Sequence, residues 1–222
     1  IDGGKSGRLI KRFSRLERFA HWLTAGSFMA LALTGLNMLF GRILLEPLIG
    51  GTVFAGLTRS GKWLHNLTGF LFIAGMVLIF VLWARDNLWD RYDWGWIREG
   101  GGLLKKGRHP PAAKFNFGEK SQFWLVIVVG SAVSVTGINL LFPFTFTDLL
   151  GLQVMQLLHA AAAVGMVMAI MGHIYIGTIG MEGAKEAMTT GFVDENWARE
   201  HHSVWVEDLL AAKKDEAPTQ TP

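Results

Sequence analysis

Seven histidines occur in the chain, and four of them, His21, His65, His159 and His173, lie inside long uncharged apolar runs. No Asp, Glu, Lys or Arg shares those runs. Ionisable side chains at membrane depth are costly, so each is a functional candidate by default. Neutral imidazole is a good ligand for iron. His159 and His173 stand 14 positions apart. At about 100° per residue that separation falls about 40° short of four helical turns, with a rise of ~21 Å. One helix face thus presents two ligands at two depths, a spacing that suits two haems stacked across one bundle. Two histidines on one iron fill both axial positions, so the expected task is electron transfer, with potential set by ligands, hydrogen bonds and burial. Copper or zinc also accept imidazole, but ligands at separate depths do not form one cluster. A proton relay usually includes Asp or Glu, which these runs lack.

The elements that must hold these histidines follow from hydropathy. Half of the 222 residues are hydrophobic and 18% are charged, against roughly a quarter charged in soluble domains. Mean hydropathy is +0.31. Four uncharged runs reach the roughly 20 residues that a bilayer core requires of a helix: Phe19–Phe40, Trp63–Ala84, Ser121–Thr147 and Leu149–Met181. The last exceeds one span, and its helix is expected over about 154–177. Pro143 and the segment 148–151 break the chain before it. The first run lacks a small-residue cleavage site and continues into comparable spans, so it does not read as a signal peptide. The start at Ile1 suggests that residues precede it. No cysteine is present, which excludes disulfides, cysteine-held iron–sulfur clusters and thiol catalysis within this chain.

Charge sets the orientation. Of 21 Lys and Arg residues, 18 fall in the N-terminal segment, the loop between the second and third runs, and the tail. Only Arg42, Arg59 and Lys62 fall on the other side. The positive-inside bias therefore predicts cytoplasmic termini and a cytoplasmic second loop. Because the basic residues flank spans, no nucleic-acid partner is expected; the partner they imply is membrane lipid. Most tryptophans, Trp22, Trp63, Trp83 and Trp124 among them, lie near span ends as an interfacial belt. With this orientation His21 and His173 lie near the inner face, and His65 and His159 near the outer one. Depth alone gives two pairs, His65 with His159 and His21 with His173. Small residues make room between helices: Ala160 to Ala163 and Gly165 after His159, Gly172 before His173, Gly69 after His65, and Ala25, Ala32 and Gly35 on the His21 face.

The expected fold is all-α: an integral membrane four-helix bundle over residues 1–181, with cytoplasmic termini, followed by a cytoplasmic tail over 182–222. That tail carries nine acids against four bases between Glu182 and Glu216. Val204, Leu209 and Leu210 give it a short amphipathic helix, with disorder expected after Asp215. His109, His201 and His202 lie outside the apolar runs and are not assigned as iron ligands.

From about Arg12 to Trp205 the sequence resembles the gamma subunit, a di-haem cytochrome b, of membrane-bound respiratory formate dehydrogenase. The resemblance is carried by Arg18-Phe19-Ala20-His21-Trp22, Lys62-Trp63-Leu64-His65, Lys114-Phe115-Asn116-Phe117-Gly118-Glu119-Lys120, Leu158-His159-Ala160-Ala161-Ala162, Gly172-His173-Ile174-Tyr175 and, most specifically, Trp197-Ala198-Arg199-Glu200-His201-His202-Ser203-Val204-Trp205. It implies a multi-pass subunit of the bacterial inner membrane with two b haems on the same histidine pairs. It also implies an iron–sulfur beta subunit as donor and a molybdenum- or tungsten-containing catalytic alpha subunit, with menaquinone or ubiquinone as acceptor. A quinone site at Asn116, Gly118 and His173 is implied as well. Asn116 can hydrogen-bond a carbonyl, Gly118 permits close backbone approach, and Glu119 could carry protons to the reduced quinone. No residue of this chain is expected to oxidise formate. Arg12, Arg18 and Lys62 lie where a haem propionate could be paired, but topological anchoring is the favoured reading for them. The helix pattern alone also fits the cytochrome b of a nickel–iron hydrogenase. A haem-free anchor or transporter is the reading of another class.

Overall fold

In the computed structural model, residues 3–102 and 109–215 are described. Lys105, Lys106 and Arg108 of the basic loop, Ile1, and the segment after Asp215 lie outside them. The elements run in order β1 (Leu9–Lys11), α1 (Arg15–Leu44), α2 (Glu46–Ile49), α3 (Gly51–Trp83), α4 (Asp93–Arg98), α5 (Phe117–Leu141), α6 (Leu149–Tyr175), α7 (Ala184–Thr189), β2 (Phe192–Asp194), α8 (Glu195–His201) and α9 (Ser203–Asp215). A short 3-10 turn covers Gly100–Gly102, and a π turn, Ile176–Gly180, prolongs α6. Four helices, α1, α3, α5 and α6, are long and apolar enough to cross a membrane. They carry the four apolar runs.

Their boundaries have local causes. α5 opens on a capping box: the Glu119 amide donates to Asn116 Oδ1, and the Asn116 amide donates to Glu119 Oε2. It ends at Leu141, six residues short of the apolar run, because Pro143 cannot continue a helix. Asp148 then starts α6, its Oδ1 accepting from the Gly151 amide. α3 departs most from the hydropathy reading. It begins at Gly51 and runs 33 residues, about 50 Å, well beyond the ~30 Å hydrocarbon core. Arg59 and Lys62 end the apolar run but not the helix, since residues 51–62 contain no proline.

Contacts divide the chain into two units. One comprises 16–82 and 125–173 and holds most of the four long helices. Its buried centre is small: Phe72, Met76 and Met166, with Phe28, Leu31 and Ile170 packed around them. Large side chains such as Leu33, Val81, Val135 and Leu157 are exposed instead, as a lipid-facing surface requires. With lipid as solvent, helix association depends on close packing rather than on water exclusion, and small residues provide it. A Cβ at Gly75 would stand 2.5 Å from Thr24 Oγ1 and 3.0 Å from the Thr24 backbone nitrogen, while one at Gly130 would stand 2.8 Å from Met76 Sδ. α1 and α3 therefore cross at Gly75 with almost no clearance.

The other unit comprises 1–15, 83–124 and 174–222. It contains an element that hydrophobic patterning does not reveal, a two-stranded antiparallel ribbon pairing Leu9 with Asp194 and Lys11 with Phe192. Asp194 also binds the Ser6 and Gly7 amides and caps α8 through the Asn196 amide. Burial alone would raise the Asp194 pKa, but these amide bonds outweigh it and hold the carboxyl below its usual range. The tail is more structured than one amphipathic helix, having α7, β2, α8 and α9. Trp197, Ala198, His202 and Val206 are almost fully buried. His202 Nδ1 donates to the Ala113 carbonyl at 2.9 Å. Burial, aided by the nearby Arg12 guanidinium, lowers its pKa to about 3. Burial also lowers the His201 pKa. Arg12 Nη2 donates to Glu119 Oε1 and to the Lys114 carbonyl, both at 2.9 Å. Lys120 Nζ is buried between Asp90 and Asp93.

Gly75→Ala must force the α1–α3 crossing apart at backbone, where no side-chain rotation relieves the clash. Overpacking of this kind costs about 1–3 kcal/mol. The expected outcome is a lower unfolding midpoint in an SDS titration followed by circular dichroism, whereas Gly26→Ala, at an exposed position where a Cβ meets nothing within 4 Å, leaves that midpoint in place.

Candidate haem-ligating site

All four intramembrane histidines belong to the unit built from 16–82 and 125–173, and they stand in the two pairs that depth predicts. The His65 and His159 rings have centroids 6.2 Å apart, and those of His21 and His173 are 6.4 Å apart. A metal–imidazole bond of about 2.0 Å plus about 1.1 Å from ring nitrogen to ring centre puts two axial rings about 6.2 Å apart. Both observed separations match one metal held between each pair. They are too long for a hydrogen bond between the imidazoles.

Hydrogen bonds fix which nitrogen carries the proton in the first pair. The Val133 carbonyl can only accept, so His159 Nδ1, 3.0 Å away, must be the protonated nitrogen. Thr136 Oγ1, also 3.0 Å from that nitrogen, has committed its proton to the Ala132 carbonyl at 2.8 Å, so it too accepts from His159. The same logic holds for His65: Thr34 Oγ1 donates to the Ala30 carbonyl at 2.7 Å and accepts from His65 Nδ1 at 2.9 Å. In both rings the lone pair is therefore on Nε2. This second layer of bonds is the usual means of orienting a ligating histidine and raising its basicity.

In the second pair, His21 Nδ1 is buried with no hydrogen-bond partner among the described residues. A buried polar atom in that condition is expensive unless a ligand uses it. The His21 ring is braced edge-on by Trp22 at 5.1 Å.

Glycines make the space. A Cβ at Gly35 would lie 3.3 Å from His65 Cε1, and one at Gly137 would lie 3.1 Å from His159 Cε1. Gly35, which spacing puts on the His21 face 14 residues on, thus serves the other pair. α1 and α6 each address both pairs from one face. A cavity of about 250 Å³ opens beside His65 and His159, lined by all four long helices and including Gly69 and Ala160. Paired neutral imidazoles, oriented Nδ1 protons, an orphaned ring nitrogen and a cavity free of charge fit bis-histidine haem. They do not fit a multi-histidine zinc or copper cluster, which would need the pairs at one depth.

Asn116 and Gly118 lie in the other unit from His173. Asn116 is buried and its Oδ1 is used in the α5 capping box. A Cβ on Gly118 would stand 3.1 Å from Trp96 Cη2. Both therefore have structural duties in addition to any ligand role. Depth matching of the histidines alone passed over Thr34 and Thr136. The same comparison of depth applied to hydroxyls would have found them, since each sits in an apolar run level with its histidine.

Similarity to known proteins agrees with this geometry. The cytochrome b556(fdo) subunit of formate dehydrogenase from Escherichia coli K12 is 28% identical over 211 residues, covering 94% of this chain and 97% of that protein. The nitrate-inducible cytochrome b556(Fdn) subunit of the same organism is also 28% identical over 211 residues, covering 93% and 94%. The formate dehydrogenase cytochrome b556 subunit of Haemophilus influenzae is 26% identical over 221 residues, covering 97% and 90%. Residues 12–191, which hold all four paired histidines, match the family model described as prokaryotic cytochrome b561, and the chain belongs to that family.

Proposed function

We propose that this chain is the membrane cytochrome b subunit of a quinone-linked formate dehydrogenase, with His65 and His159 as axial ligands of one haem b and His21 and His173 as ligands of a second. The observation that carries the proposal is the pair of ring separations, 6.2 and 6.4 Å, each the length that one metal between two imidazoles would need. When bound, the haems supply one-electron centres at two depths of the bilayer, which link an iron–sulfur donor to a quinone. Thr34, Thr136 and the Val133 carbonyl hold the imidazole protons on Nδ1, which would leave the Nε2 lone pairs to hold the iron. No charged side chain lies within the apolar runs that carry the two pairs. The excess of Lys and Arg in the N-terminal segment, second loop and tail favours cytoplasmic termini in a bacterial inner membrane. His65 and His159 then lie toward the outer side, where an iron–sulfur beta subunit and a molybdenum or tungsten alpha subunit would dock. The chain itself has no formate-oxidising group. Quinone contact at Asn116 and Gly118 is supported by the resemblance: a quinone carbonyl would accept from Asn116 Nδ2, whichever of menaquinone or ubiquinone is used.

Three measurements test this reading. Dithionite-reduced spectra with a pyridine haemochrome count should give two b haems per chain. His65→Ala and His159→Ala should each leave about one, as should His21→Ala and His173→Ala. Retention of two in any of these variants would overturn the ligand assignment.

Thr136→Val removes one acceptor from His159 Nδ1. A hydrogen bond of about 1 kcal/mol corresponds to about 40 mV for one electron. Weaker electron donation by the ring moves one of the two midpoint potentials up by that order in a redox titration, and the other stays still.

Asn116→Asp keeps an oxygen for the α5 cap and removes the amide donor. Its expected result is an unchanged haem count with a raised KM for quinone in the assembled complex. An unchanged KM would remove Asn116 from the quinone site.

A further inference from the structure

Three side chains outside the membrane-spanning helices converge without any part in the electron path: His109, Glu200 and His201. His109 Nε2 lies 3.2 Å and His201 Nε2 lies 3.6 Å from the same oxygen, Glu200 Oε1. All three donor atoms lie within 4.8 Å of one another. Tetrahedral zinc with bonds of about 2.0–2.2 Å sets its ligands about 3.3–3.6 Å apart, so two of the three edges already have that length. We propose that His109, Glu200 and His201 bind one zinc-class divalent ion, with solvent completing the coordination shell.

The donor set selects the metal. Two imidazoles with one carboxylate suit zinc, nickel or copper, whereas magnesium and calcium require oxygen ligands. Two neutral rings and one carboxylate also leave the bound ion one net positive charge. That charge is tolerable because the three side chains are partly exposed, at 30%, 13% and 18%. Both sides of the site are held in place. His109 precedes Pro110-Pro111, which restricts its backbone to extended conformations. Glu200 and His201 end α8, which is fixed by the Asp194 cap and by Trp197, 1% exposed. The Trp197 ring lies 5.0 Å from that of His201, and the two histidine rings meet edge-on at 5.3 Å. Next to the site, His202 Nδ1 donates to Ala113, and the Trp205 amide approaches the Ala112 carbonyl at 3.4 Å. The ion would therefore clamp α8 onto the 109–113 segment across some ninety residues of sequence. Because its ligands converge only in the folded chain, its binding favours the folded tail. This inference does not depend on the haem assignment.

The test uses the detergent-purified full chain carrying its haems. The protein is stripped with EDTA, loaded with zinc, dialysed, and analysed for zinc and iron by mass spectrometry. One zinc per chain is expected, beside the haem iron. X-ray absorption at the zinc edge should show a nitrogen and oxygen shell with imidazole scattering. His109→Gln and His201→Gln should each weaken retention by at least about tenfold. Their haem count, read from the optical spectrum, checks that the fold persists. Zinc should also protect α8 and α9 from trypsin in the unmutated chain and not in the variants. His109→Gln decides alone if His201→Gln fails to fold, since His109 is the most exposed of the three. Failure of the unmutated chain to retain zinc would show a hydrogen-bonded cluster only. Equal retention by His109→Gln would place the ion elsewhere. Either result overturns the proposal.

Discussion

Imidazole within an apolar bundle has two nitrogens to satisfy and almost no water with which to do it. The bundle meets this constraint by dividing the ring. At His159 the Nδ1 proton is taken by the Val133 carbonyl and the Thr136 hydroxyl, and at His65 by Thr34. Each Nε2 is thereby left with its lone pair unshared. The helix backbone provides the acceptors directly at Val133 and indirectly at Ala30 and Ala132, whose carbonyls hold the threonine protons and so set which way each hydroxyl faces. The placing of the imidazole proton thus originates in ordinary helix hydrogen bonding, extended by one side-chain hydroxyl.

The second constraint is steric. The facing imidazoles need room between helices that must touch elsewhere to stay together in lipid. Glycine position resolves the conflict. Gly75 and Gly130 mark points of near contact, at Thr24 and at Met76, and Gly35 and Gly137 admit the imidazoles. Contact and gap alternate along each helix, and one residue type serves both.

Hydropathy and charge revealed much of this. The four spans were legible because lipid imposes a long, uninterrupted apolar run, and the ring pairs were legible because depth in a helix is linear in residue number. What was missed lies where that linearity ends. The first twelve residues of α3 are helical for want of a breaker, not because of hydropathy. The Leu9–Lys11 and Phe192–Asp194 ribbon joins segments too short to show a period, and its register comes from Asp194 binding the Ser6 and Gly7 amides. Asn116 was legible as a polar residue before a span, but its capping role required the reciprocal contact with Glu119. Arg12, read as a possible propionate partner, is committed to Glu119 and the Lys114 carbonyl, a pairing across a hundred residues that local patterning cannot show.

The ribbon also constrains biosynthesis. Its first strand precedes all four long helices in the chain, and its partner is made only after them. During that interval Leu9–Lys11 has unpaired backbone amides, and Ser6 and Gly7 lack the carboxylate that holds them. The N-terminal segment must therefore wait, solvated, through the whole of membrane insertion. The segment after α6 completes a ribbon that the segment before α1 began, so a ribosome stalled before β2 would leave the first strand unpaired.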